Sequence, residues 1–100
     1  MMSRAVESLS LALGAGKLAV GYMATKESVL QNRASLVVFT LDIADGTFEK
    51  VLRFIGEIPY MKIPYSQDDI ENVMKRRFVV AAINDINFKR LFEKALKEDI

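Results

Sequence analysis

Two uninterrupted apolar runs constrain this chain most. Leu36-Val37-Val38-Phe39-Thr40-Leu41 and Phe78-Val79-Val80-Ala81-Ala82-Ile83 have strand length and show no alternation of apolar and polar residues. A strand with one face in water alternates, so runs of this kind belong to strands covered on both faces. The segments between and around them have helical spacing, so helices must supply both covers. Residues 3–13 read as a helix with Ser3 as its cap and Gly14 and Gly16 ending it. Residues 17–20 form a short strand, and residues 22–32 a second helix entered at Gly21. Asp45 or Thr47 starts a third helix, whose core face is marked by Phe48, Val51, Leu52 and Ile55, with Gly56 near its end. Pro59 and Pro64 bracket a short strand. Ser66 followed by Asp69 is a capping-box start for a fourth helix over Gln67–Met74. Asp85 or Asn87 caps a last helix with Phe88, Leu91, Phe92, Ala95 and Leu96 on one stripe. The order α-β-α-β-α-β-α-β-α predicts an α/β fold, a three-layer α/β/α sandwich on a four-stranded sheet, with residues 1–100 as one domain.

Composition removes whole classes of chemistry. The chain has no cysteine and no histidine, which excludes disulfides, thiolate metal sites and the commonest general base. No nucleophile–base pair or glycine-rich phosphate loop is visible, so the chain reads as non-catalytic and without a cofactor or metal. Asp42, Asp45 and Glu49 form an acidic cluster in which Mg²⁺ is conceivable, but a helix cap and a first-turn dipole partner explain it more simply. Fourteen basic and thirteen acidic residues leave a net charge of +1. A nucleic-acid partner would therefore be held by a local patch and not by a global field. Arg4 and the apolar residues after it resemble a secretory leader, but Glu7 interrupts them and Val6, Leu9 and Leu13 have helical spacing. No segment approaches the ~18 apolar residues of a membrane span. The expectation is a soluble, cytoplasmic protein with no membrane and no DNA partner.

The strongest candidate site is in residues 9–21, Leu-Ser-Leu-Ala-Leu-Gly-Ala-Gly-Lys-Leu-Ala-Val-Gly. A chain that passes from strand to helix at a glycine leaves free N–H groups at a helix start that favours negative charge, and a phosphate backbone is its natural ligand. This segment resembles the Leu-Gly-Leu-Ala-x-x-Ala-Gly-Lys-Leu-x-x-Gly pattern of the small bacterial YlxQ-like branch of the kink-turn RNA-binding ribosomal proteins, the L-seven-Ae, L-thirty-e and S-twelve-e group. Two further segments carry the resemblance. Arg33-Ala34-Ser35-Leu36-Val37-Val38-Phe39-Thr40, leading to Asp45 and Thr47, is similar to the group's second strand. Arg77-Phe78-Val79-Val80-Ala81-Ala82-Ile83-Asn84-Asp85 with Phe88 is similar to its closing strand.

The resemblance implies an L-thirty-e-like sandwich with a mixed sheet, and a protein that binds kinked or ribosomal RNA within a ribonucleoprotein. It implies an RNA site at Gly21, Tyr22, Met23, Ala24, Thr25, Lys26, Glu27 and Ser28. A second loop at Val73, Met74, Lys75, Arg76 and Arg77 would complete it, with Lys17 and Lys26 on phosphates. Alternatives stand beside each residue. Gly21 also suits any strand-to-helix turn, and the lysines are ordinary on a surface. Tyr22 and Met23 serve base stacking on one reading, and core packing or a protein interface on the other. Met74 and Val73 suit apolar packing better than base reading. The group's Gly-x-Asn-Glu-x-x-Lys pattern holds Met23, Ala24 and Glu27 at its reading positions here, and none of the three matches. Its Arg-Arg and fourth-helix Leu-Gly pairs are replaced by Leu13-Gly14 and Ile70-Glu71. The alternative is a protein-interaction module, a homodimer among its forms, that keeps the fold and has lost the RNA site.

Overall fold

The two apolar runs form the middle of a four-stranded sheet. The computed structural model describes residues 3–99; residues 1, 2 and 100 of the expected domain lie outside the described residues. In chain order the elements are α1 (Arg4–Gly14), β1 (Leu18–Val20), α2 (Tyr22–Leu30), β2 (Leu36–Phe39), α3 (Asp45–Ile55), β3 (Tyr60–Lys62), α4 (Gln67–Met74), β4 (Val80–Ile83) and α5 (Ile86–Asp99). The strands lie in the order β1-β4-β2-β3. Strand β4 runs antiparallel to β1 and β2, with Ala81 opposite both Val20 and Val38, while β2 and β3 are parallel. This is the α/β/α sandwich that the pattern of elements predicts, with the mixed sheet that the resemblance implies.

The pleat divides the apolar runs between two cores. Leu36, Val38, Ala81 and Ile83 face α1, α4 and α5, together with Leu9, Ile70 and Phe92. Val37, Phe39, Val80 and Ala82 face α2 and α3, together with Val29, Val51 and Ile55. Every residue of β2 and β4 is buried, as unalternated strands require.

Element ends differ from the expected ones for local reasons. Strand β2 stops at Phe39 because Leu41 N–H turns away to Tyr65 O at 2.8 Å, which leaves the Leu41 side chain exposed. Strand β4 begins two residues late, at Val80, although Phe78 is still buried. Helix α2 ends at Leu30, since Asn32 takes a left-handed φ of 58°. Ala44, not Asp45 or Thr47, occupies the cap position of α3, and Asp45 sits in the first turn beside the positive helix end. Ser3 and Ser66 cap α1 and α4 as expected, with the Ser66–Asp69 box complete, and Asp85 accepts the Asn87 and Phe88 N–H groups at the start of α5. Leu91, expected on the core stripe of α5, is 42% exposed. No helix among the described residues is long and apolar enough to cross a membrane.

Helices α1 and α5 lie antiparallel and are tied at both ends. At one end Asn84 N–H donates to Lys17 O at 2.8 Å. At the other, the Asp99 carboxylate accepts from Tyr65 Oη at 2.6 Å, Ser3 Oγ at 2.7 Å, Ala5 N–H at 3.0 Å and Arg4 N–H at 3.1 Å. Desolvation alone would raise this carboxyl, but the four donors outweigh it and hold it down at about 2. A depressed folded value stabilises the protein fully above the ordinary 3.8 and loses that contribution as pH falls through about 2. Asp99→Asn is expected to lower stability at pH 7 by about 1 kcal/mol, because a neutral amide with one oxygen cannot accept from all four donors. Thermal melts of both proteins from pH 7 to pH 2 should show the gap closing at the acid end; a gap independent of pH would disprove the role of the charge.

Candidate nucleic-acid interface

The candidate residues gather at the end of the sheet where β1 finishes and β4 begins. Gly21 has φ 97° and ψ 169°, a conformation that side-chain-bearing residues rarely adopt. Its N–H donates to Val80 O at 2.9 Å, which fixes the turn to the central strand. Its carbonyl accepts Thr25 N–H at 3.0 Å, the first bond of α2. No side chain caps this helix, so the N–H groups of Tyr22, Met23 and Ala24 have no intrahelical acceptor. Three aligned donors at a positive helix end suit an anion.

The second part lies at the same end of the sheet, because β4 is antiparallel to β1 and its entry is beside the exit of β1. Lys75 ends α4 in a left-handed conformation, and its Nζ donates to Asn72 O at 3.2 Å. Arg76 is exposed and makes no ion pair among the described residues. Arg77 hydrogen-bonds Asp68, and its guanidinium lies 3.6 Å from Glu71. The Asp68 hydrogen bond and the surrounding carboxylates raise its pKa and offset its charge locally.

Several expected site residues lie elsewhere. Lys17 is at the other end of β1 from Gly21, about 13 Å away at ~3.3 Å per residue, and so does not join this site. Lys26 is drawn onto α3, with Nζ 5.8 Å from the Phe54 ring centroid. The Tyr22 ring is half-buried and packs T-shaped against the same ring, with centroids 5.8 Å apart, which draws it toward α3. Thr25 and Ser28 are buried on the inner face of α2, where Ser28 Oγ accepts from Asn84 Nδ2 at 3.0 Å. Met74 is buried on the inner face of α4, one turn from Ile70, while Val73 is half-buried beside the same core. Ala24 is half-buried. Glu27 is exposed and holds Gln31 at 3.3 Å. Met23 is the outlier, a large apolar side chain 72% exposed at the helix start.

Three acidic side chains act on the site through pairings that the sequence does not show. Asp68 and Glu71 neutralise Arg77 from α4, and Asp42 accepts Gln67 N–H at 3.1 Å to brace the start of that helix. Only their acidity is visible in the sequence, because each pairing is created by the fold. Among the described residues no three acidic side chains converge as a metal site.

Gly21→Ala is expected to destabilise the protein by about 1–3 kcal/mol through backbone strain alone, since nothing lies within 4 Å of the added methyl. Urea unfolding should show a lower midpoint with an unchanged m-value; an unshifted midpoint would mean that the turn relaxes.

No protein-family model and no curated protein matches this chain. Solved structures do. A Bacillus halodurans protein of unknown function has a TM-score of 0.83 at 21% identity, covering 96% of this chain and 99% of its own. A Giardia lamblia 15.5kD RNA-binding protein has a TM-score of 0.69 at 15% identity, covering 94% of this chain and 82% of its own. At these identities the likeness is one of fold, and the chain has the α/β architecture of the Giardia protein.

Proposed function

We propose that the protein is a non-catalytic RNA-binding protein that docks structured RNA against the end of the sheet where α2 begins. The observation that carries this reading is the pairing of an uncapped helix start with a basic turn. Gly21 is fixed to Val80, and Lys75 and Arg76 stand where the chain enters the same strand. A phosphate at the Met23 and Ala24 N–H groups would lie within the field of that turn. The fold shared with the Giardia RNA-binding protein supports the same direction. A kinked RNA fits best, since a bend brings two phosphate runs to one convex edge. Met23 and Ala24 offer no side-chain hydrogen bond to a base, so shape and phosphate positions carry recognition here. The setting implied by the resemblance is a cytoplasmic ribonucleoprotein, the ribosome included.

A second reading, a protein-interaction surface, draws on exposed Met23 and Leu41 at this end and on the neutralisation of Arg77. Gel-shift titrations separate the two, using a kink-turn RNA and a plain duplex of equal length at two salt concentrations. RNA docking predicts tighter binding to the kinked RNA. The salt slope of that binding should fall by about one in Arg76→Ala. Equal, weak and salt-sensitive binding to both RNAs would shift the assignment to a protein partner.

A further inference from the structure

On the outer face of α1 and α5, far from the α2 layer, a shallow groove of about 220 Å³ runs between the two helices. Because the helices are antiparallel and tied at both ends, their residues meet in levels. Arg4 lies level with Glu98, to which it is ion-paired. One turn further, Glu7 lies level with Lys94, and one turn beyond that Leu11 lies level with Leu91. The leucines are 62% and 42% exposed, large apolar side chains with no cover of their own. The charges change sign between the helices at each polar level, and they alternate along each helix.

That pattern is self-complementary under one operation. A twofold axis parallel to the helices sets α1 of one copy over α5 of the other with every level preserved. Arg4 then faces the second copy's Glu98, Glu7 faces its Lys94, and Leu11 faces its Leu91. A twofold axis across the helices would instead set α1 on α1 and would not produce these pairs. We propose that this face is a homodimer interface, in which the two copies form a four-helix layer with the leucines packed at one end and the charges matched along the rest. Two short helices offer an area at the small end of stable interfaces, so the dimer is expected to dissociate at micromolar concentrations. Charge matching of this kind fixes register and partner more than raw affinity.

Sedimentation of the 100-residue chain across about 1–500 μM tests this proposal, with a reversible monomer–dimer equilibrium expected. Leu11→Asp should hold the protein monomeric, with an unchanged circular dichroism spectrum. Glu7→Lys alone should weaken the dimer by about tenfold or more, as should Lys94→Glu alone, because each sets like charges opposite one another twice. An equimolar mixture of these two variants should dimerise again, since each lysine then faces a glutamate of the other chain. A rescue by mixing cannot arise from a change within one fold. A monomer throughout the concentration range overturns the proposal. So does a dimer insensitive to Leu11→Asp, or a mixture that stays monomeric.

Discussion

Strand β4 must hydrogen-bond on both edges and accept helices on both faces, and most of the structure follows from that demand. Its backbone partners are β1 and β2. Its side chains alternate between the two cores, Ala81 and Ile83 to one and Val80 and Ala82 to the other. The paired alanines in the middle leave room for a helix to approach the strand closely. On one side this admits α2, whose buried face carries the small, polar Thr25 and Ser28 beside Val29. The same strand carries the acceptor for Gly21 at its start and the Asn84 link to Lys17 just past its end. The geometry of the candidate site is thus set by a strand that contributes no side chain to it.

The sequence is most legible where burial is complete. Two unalternated runs announce the central strands, because a strand with water on neither face has no polar position to mark its period. Capping residues place α1 and α4 closely, since Ser3, Ser66 and Asp69 act within one turn of their own chain. Helix α2 is the opposite case. It presents Thr25 and Ser28 to the core beside Val29, and Met23 and Leu30 to solvent, so polarity is a poor guide to burial there, and Gly21 is the clearest signal of the helix. The stripe on α5 misleads at Leu91 for a related reason. The 3.6-residue period says which residues share a face but not how far the cover of that face extends.

The candidate site is legible only in its local half. Gly21 can be read because its backbone conformation demands a glycine. Lys17 is misplaced because four residues of strand cover the length of the sheet, whereas four residues of helix make one turn. Arg77 looks like a free cation in the sequence and is not one in the fold, where Asp68 and Glu71 approach from the facing turn of α4. Exposed pairs of this kind contribute little stability. Their consequence is electrostatic, for they leave Lys75 and Arg76 as the positive charges of that loop.

The two layers of helices then divide the surface between them. Helix α2 opens at the end of the sheet near Arg77, and that end also holds Ser3, Tyr65 and Asp99, the tie between α1 and α5. The Arg4–Glu98 level of the outer groove is therefore at the site end, and the Leu11–Leu91 level is at the far end. A twofold axis parallel to α1 and α5 preserves direction along those helices. It sets the apolar anchor away from the candidate site and turns both copies of the α2 start the same way. If the proposed dimer forms, its two proposed phosphate sites stand at one end of it, and an extended RNA held by both would make its second contact intramolecularly. For a domain with a net charge of +1, linking the two proposed sites in the proposed dimer would multiply modest affinities without adding contacts.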